Sequence, residues 1–264
     1  MRIVTWNVNG IRSVARKGFL DWLLRESADL IAIQEVRAFY EQIPKPLRAP
    51  PGFVQAHFVT SKRAGYSGVG LYARRPFKLL KTALGDPEMD KEGRLQIVRL
   101  GSLIVANVYF PNGSGYQRDN SRVPFKLAFY RKLSEYLQPW LDEDRAIVVI
   151  GDFNTAPEAI DLARPRENEK TSGFLPEERA EIARWKSLGW IDAFRLLYPD
   201  RKGAYTWWRW THNARERNIG WRIDLAMLSP KAASCLKDVH IHHEVMGSDH
   251  CPVSIELDDG ICKS

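Results

Sequence analysis

Residues 95–109, LQIVRLGSLIVANVY, decide how this chain folds. Two apolar runs, Leu95–Leu100 and Leu103–Tyr109, are joined only by Gly101 and Ser102. A two-residue connection with glycine first suits a type II′ hairpin turn, and it is far too short for the crossover that parallel neighbours need. The pair is therefore antiparallel. Similar runs recur on both sides: Ile3–Trp6, Asp29–Ile33, Phe53–Val59, Val69–Ala73 and Phe77–Thr82 before it, then Ile147–Ile150, Trp221–Leu228, His240–Val245 and Val253–Leu257 after it. Helical spacing lies between some of them. Phe19, Leu20, Trp22, Leu23 and Leu24 share an apolar face, as do Phe125, Ala128, Phe129, Leu133 and Leu137 behind Pro124, and Pro176-Glu177-Glu178 opens a third helix with acids in its first turn. The pattern predicts an α/β chain, two mainly antiparallel sheets packed together with helices outside, as one domain spanning residues 1–264.

The composition excludes several classes. With 44% hydrophobic and 27% charged residues, the 264-residue chain reads as globular and not as a disordered polymer. No apolar run approaches the roughly 20 residues of a membrane span. Met1 leads directly into strand-like RIVTWNV, so no signal peptide is expected and the cytoplasm is the default compartment. Cys235, Cys251 and Cys262 are odd in number and lack CxxC spacing, which argues for reduced thiols and against disulfides or structural zinc. The net charge of +7 and a pI near 9.3 suit a polyanionic partner, although many basic proteins bind no nucleic acid.

The apolar runs share a way of ending. Ile3–Trp6 stops at Asn7, Leu30–Ile33 at Gln34-Glu35, Leu103–Val108 at Tyr109 with Asn112 beyond, and Ile147–Ile150 at Gly151-Asp152-Phe153-Asn154. Asp224 interrupts Trp221–Leu228, and Asp249-His250 precede the final run. Each could be an ordinary polar turn. Together they fit convergence at one rim of a sheet sandwich, where Glu35, Asp152, Asp224 and Asp249 would repel one another without a cation or bound protons. Oxygen donors with one histidine favour Mg²⁺, with Mn²⁺ as a substitute, over zinc. That set beside a general base suits phosphoryl chemistry. Ser248-Asp249-His250 could also be a triad fragment, but adjacency in sequence gives no triad geometry. There is no Walker loop and no GxGxxG. His240, His242 and His243 resemble a metal patch and equally an exposed strand face.

These residues, taken with their neighbours, resemble a known family. WNVNGIR (6–12), IQEVR (33–37), GYSGVGLY (65–72), YFPNG (109–113), GDFNTAP (151–157), GFLPEER (173–179), NIGWRIDLAMLS (218–229) and GSDHCPV (247–253) are, in order and spacing, similar to the exonuclease III / apurinic-apyrimidinic (AP) endonuclease family of the endonuclease–exonuclease–phosphatase superfamily. The resemblance covers nearly the whole chain. It implies a four-layer α/β sandwich, two packed mixed/antiparallel sheets flanked by helices, and a monomeric DNA-repair phosphodiesterase. Such an enzyme cuts 5′ to abasic sites in double-stranded DNA, leaving 3′-OH and 5′-deoxyribose phosphate. It also degrades or cleans blocked 3′ ends, and in a bacterium it would work at the nucleoid.

The resemblance also implies roles. Glu35 would be the main metal ligand, with Asn7 beside it and Asp249 as a further carboxylate. Asp152 would activate water with Asn154 as its neighbour, and His250 would face the phosphate, oriented by Asp224. Tyr109, Asn112 and Asn168 would contact the scissile phosphate or line the site. Trp207, Trp221 and Ile223 would form the pocket for a baseless sugar, their alternative being core packing. Arg12, Lys17, Lys62, Arg63, Gly65 and Tyr66 lie in stretches expected to touch the DNA backbone. Two departures stand out. Asn9 replaces an acidic residue of some relatives, which argues against two ions. Positions near Gly115 and at Thr211 lack the basic and methionine wedge of animal relatives, leaving Arg122 and Lys126 to compensate as DNA-binding residues. The alternatives are a superfamily phosphodiesterase for RNA, inositol phosphates or lipid headgroups, and a catalytically dead DNA-binding module.

Overall fold

The computed structural model describes residues 1–115 and 119–262. Strand β1 (Arg2–Asn7) leads through two short helices, α1 (Ile11–Ala15) and α2 (Phe19–Arg25), into β2 (Leu30–Gln34). Then come α3 (Lys45–Arg48), β3 (Gln55–Val59), β4 (Val69–Ala73), β5 (Lys78–Lys81) and α4 (Pro87–Asp90). The hairpin of β6 (Leu95–Leu100) and β7 (Leu103–Tyr109) precedes the long helix α5 (Val123–Asp142), β8 (Ile147–Asp152), α6 (Pro165–Asn168) and α7 (Pro176–Ser187). The remainder holds β9 (Ile191–Asp192), α8 (Ala193–Leu197), the short pair β10 (Trp207–Trp208) and β11 (Gly220–Trp221), β12 (Asp224–Leu228), α9 (Pro230–Ala233), β13 (Leu236–Ile241) and β14 (Val253–Leu257).

The opening hairpin forms as its turn requires: Leu100 faces Leu103, and Gly101 takes φ +59°. Two six-stranded sheets result, in the orders β13-β14-β1-β2-β4-β3 and β5-β6-β7-β8-β12-β9. Both are mixed, because β1 runs parallel to β2 and β7 to β8. The near-continuous apolar strands follow from burial on both faces. In β2, Leu30 and Ala32 enter the core between the sheets, while Ile31 and Ile33 pack with Phe19 and Leu23 of α2. In β8, Val148 and Ile150 enter the same inter-sheet core, while Ile147 and Val149 pack with Phe129 and Leu133 of α5 and Ile182 and Trp185 of α7. The outcome is helix, sheet, sheet, helix.

The parallel pairs position the site. They align Asn7 with Gln34 and Tyr109 with Asp152, while antiparallel β12 begins with Asp224 directly opposite Asp152. The polar strand ends therefore do share a rim. Beneath it, Gln34 donates to Thr5 and to Asn107, each at 2.8 Å, and Asn107 donates to Gln96 at 3.0 Å, a buried polar seam in which the Gln34 Oε1 alone of that amide is left without a partner. Gly151 in β8 is dictated by contact: a Cβ there would lie 1.9 Å from the Val108 carbonyl oxygen.

Some expected boundaries shift. Trp221–Leu228 is not one strand; Arg222 and Ile223 separate β11 from β12, because the buried Arg222 guanidinium turns toward Asp161 and Asp192. The run His240–Val245 leaves the sheet after Ile241, where a turn returns the Val245 N–H to the His242 carbonyl. Ala128 is exposed, and α5 instead buries Lys126, Tyr130 and Ser134 beside its apolar residues. Cys235 and Cys251 are free thiols; the side chain of Cys262 lies outside the described residues. No helix among the described residues is long and apolar enough to cross a membrane.

Candidate active site

A cleft of about 1030 Å³ opens at the shared rim. Glu35, Tyr109, Asn112, Asn154, Asn168, Trp207, Trp221, Ile223, Asp249 and His250 line it, so these expected residues converge. Asp152 and Asn7 lie at its floor, both buried.

Asn7 ties the floor together. Its amide N–H groups donate to Glu35 Oε1 and to Asp152 Oδ2, each at 2.9 Å, and its Oδ1 accepts the Asn9 N–H. Asn154 completes the cradle of Asp152 through its backbone N–H at 2.7 Å and its side-chain amide at 3.3 Å. Asn154 holds φ +49° and Glu35 φ +55°, left-handed conformations that aim both side chains back over the strand ends. Burial raises the Asp152 pKa to about 7, helped by the facing Asp224 and Glu35 and opposed by His250.

His250 lies across the cleft. Its Nδ1 is 2.8 Å from Asp224 Oδ2, and its Nε2 is 4.0 Å from Asp152 Oδ2. Burial alone would lower its pKa, but Asp224 first, then Asp152 and Asp249, raise it to about 10. The ring is thus an imidazolium at neutral pH, oriented by a carboxylate. Thr206 donates to the same Asp224 oxygen at 2.7 Å.

Asp249 sits apart from this cluster, accepting from Asn9 at 2.7 Å and from the Trp207 indole at 3.1 Å. Burial raises its pKa, but His250 and those two donors together bring it below the usual carboxylate value. The Tyr109 hydroxyl is held un-ionised by burial and then by the charge of Glu35. Trp207 and Trp221 meet edge to face with centroids 6.2 Å apart, and Ile223 packs against both with Leu162 and Phe174.

The donor chemistry fits a hard cation. The donor atoms of Glu35, Asp152 and His250 lie within 4.8 Å of one another. The Arg37 guanidinium pairs with the second Glu35 oxygen, so that carboxylate already faces a positive charge. An imidazolium cannot ligate, which leaves carboxylate and amide oxygens for the ion.

Other expectations move. Lys126 does not reach the surface: its ammonium is buried, 2.7 Å from Glu178 Oε1 and 2.6 Å from the Asn154 carbonyl. It therefore supports the loop carrying Asn154 and does not compensate for a missing wedge. Arg122 pairs with Glu92 and, with Lys62, Arg63 and Tyr66, borders a separate hollow of about 580 Å³. Gly65 adjoins that hollow in sequence, while Arg12 is exposed on α1 and lines neither cavity. Lys17 donates to the Gly247 carbonyl and lies 5.1 Å from the Trp210 ring. Sequence reasoning missed Arg37, Thr206, and the cleft-lining Arg164, Lys170, Arg209 and Arg217. It also missed Trp210, exposed at the rim beside Thr211. Arg37 follows Glu35 by two residues and was findable; Thr206 carries no local signal.

The sequence profile of the Endonuclease/Exonuclease/phosphatase family matches residues 4–250. An exodeoxyribonuclease of Bacillus subtilis is 35% identical over 256 residues, 97% of this chain and 98% of the relative. The solved structure of an AP endonuclease from Archaeoglobus fulgidus superposes with a TM-score of 0.85 at 27% identity, over 98% of this chain and 99% of that one. A 3′ phosphatase from Neisseria, solved with a product DNA hairpin, gives 0.83 at 27% identity, over 98% and 99%.

Proposed function

The chain belongs to the Endonuclease/Exonuclease/phosphatase family as a hydrolytic nuclease of its DNA-repair branch, and from that premise we propose how it acts. The substrate is double-stranded DNA with an abasic site or a blocked 3′ end. The products of the first reaction are a 3′-OH and a 5′-deoxyribose phosphate. The same centre removes 3′-terminal nucleotides and 3′ phosphates. The first strand pairs with the last, which supports one domain over residues 1–264, acting as a monomer wherever the cell keeps its DNA, in the cytoplasm at the nucleoid if the cell is bacterial.

The observation that carries this reading is the pairing of Asp152 with a buried, Asp224-held imidazolium 4.0 Å away, beneath a tryptophan wall. Asp152 accepts the proton of the attacking water. Its pKa near 7 leaves a substantial deprotonated fraction at neutral pH while keeping it basic enough to take that proton. Asn7 and Asn154 fix which carboxylate lobe faces the cleft. The His250 Nε2–H donates to a non-bridging phosphate oxygen and adds a full charge from a largely buried ring. Tyr109, kept un-ionised, offers a hydroxyl donor beside it. Glu35, with Asn7 beside it and Asp249 as a further carboxylate, would hold one Mg²⁺, replaceable by Mn²⁺. The ion would neutralise phosphate oxygens and help the 3′ oxygen leave.

Selectivity rests on shape. A sugar without a base enters the slot between Trp207, Trp221 and Ile223, whereas an intact nucleotide is too large. Arg164, Lys170, Arg209 and Arg217 bring cationic charge to the cleft rim, where phosphate contacts position DNA without reading sequence.

The test is a gel comparing abasic, undamaged nicked and 3′-phosphate duplexes with Mg²⁺ or EDTA, for the wild type and Asp152→Asn. All products should need Mg²⁺ and vanish together in the variant. An intact abasic duplex alongside hydrolysis of other phosphate esters would overturn the assignment.

A further inference from the structure

Away from the cleft, β13 forms the edge of the first sheet and ends at Ile241, within the run His240–Val245, HIHHEV. The rings of His240 and His242 are neighbours, with centroids 4.6 Å apart at 62°. The turn after Ile241, closed by the 3.0 Å bond from the Val245 N–H to the His242 carbonyl, swings Glu244 back toward them. Glu244 Oε1 then lies 3.4 Å from His242 Nδ1.

Donor atoms of His240, His242 and Glu244 lie within 4.8 Å of one another. His240 and Glu244 are exposed and free to rotate, so the three donors can close to the roughly 3.3 Å spacing of a tetrahedral ion with bonds of about 2.0 Å. The central ring is already braced. His242 Nε2 lies 2.9 Å from the Ser254 hydroxyl and 3.3 Å from the Arg2 guanidinium, leaving Nδ1 turned to the carboxylate. The outer support of a metal-bound imidazole is an N–H donated from its other nitrogen; here Nε2–H would donate to the Ser254 hydroxyl and leave the Nδ1 lone pair for the ion, while the donor-only Arg2 guanidinium is a neighbour and no part of that support. The Arg2 charge lies across the ring from Nδ1 and is offset by Glu26 and Glu256.

We propose that His240, His242 and Glu244 form a surface site for a borderline divalent transition ion, Zn²⁺ as its probe, separate from the catalytic cluster. Two imidazoles with one carboxylate suit Zn²⁺, Ni²⁺ or Cu²⁺ and discriminate against Mg²⁺, which prefers oxygen ligands throughout. The ion clips the end of an edge strand to the turn that leads into Met246–His250.

The experiment is equilibrium dialysis of Zn²⁺ against the full chain in excess Mg²⁺, for the wild type, His240→Ala and Glu35→Gln. His240 is exposed, so His240→Ala should fold, and a thermal melt verifies it. The wild type and Glu35→Gln should each hold one Zn²⁺, with affinity reduced about tenfold or more in His240→Ala. Equal Zn²⁺ binding in His240→Ala, no binding in the wild type, or loss only in Glu35→Gln would each overturn the proposal.

Discussion

Replacing Asp224 by Asn tests the imidazolium directly. His250 is raised from 6.5 to about 10 against the burial that pulls it down, with Asp224 its strongest support. That is roughly 3.5 pH units, or on the order of 5 kcal/mol of preference for the protonated ring. Wild-type His250 therefore stays charged throughout the neutral range. With an amide at position 224, burial acts against only Asp152 and Asp249, and the ring's pKa falls from about 10 toward the ordinary imidazole value. Above that lowered pKa each further pH unit removes about another tenfold of the charged form. Single-turnover cleavage of an abasic duplex from pH 5.5 to 9 should show the variant's rate, taken as a ratio to wild type so that the titration of Asp152 is common to both, recovering toward acid and falling toward alkali. A uniform loss, flat in pH, would refute the reasoning and reduce Asp224 to a steric prop. Stability follows the same sign. The folded pKa is raised, so the pair stabilises the protein fully below pH 6.5 and loses that contribution as pH climbs through about 10, a decline absent from Asp224→Asn melts.

Lys126→Met should destabilise the fold by about 3 kcal/mol or more in urea melts by stranding the buried Glu178 carboxylate, and adding Glu178→Gln should recover part of it. Trp207→Ala should leave cleavage chemistry intact but reduce preference for abasic over undamaged duplex by about tenfold; an unchanged ratio would remove it from the pocket. Gly151→Ala should fail to fold, visible as loss of soluble protein, since its Cβ would overlap the Val108 carbonyl in the partner strand. A soluble, active Gly151→Ala protein would show that β7 and β8 can part there.

The strands were legible because apolar runs with polar terminators are written locally, and so was the cluster of Glu35, Asp152, Asp224 and His250 that they deliver. Lys126 was not. On a helix a lysine among apolar residues reads as an exposed basic contact, and the acid that pulls it inward, Glu178, lies 52 residues away. Arg222 misled in the same way. Its run looks like one continuous strand, but Asp161, 61 residues earlier, and Asp192, 30 residues earlier, draw the guanidinium inward and break it. Thr206, whose hydroxyl meets Asp224 18 residues on, belongs to the same class. Buried charge pairing is a tertiary property, and single-residue polarity points the wrong way wherever it operates.

The placement of β1 between β14 and β2 has a temporal consequence. The Trp6 indole donates to the His250 carbonyl across 244 residues of sequence, so the wall bearing the imidazolium docks on a strand synthesised long before it. A ribosome that has reached Asp224 has already delivered Glu35 and Asp152, yet the emerging chain has neither His250 nor the strand that covers β1. Closing so long a loop is entropically slow to organise and yields nothing until its last contacts form. The site is therefore complete only once β14 closes on β1, and a chain stopped before His250 carries most of the chemical groups without the imidazolium wall.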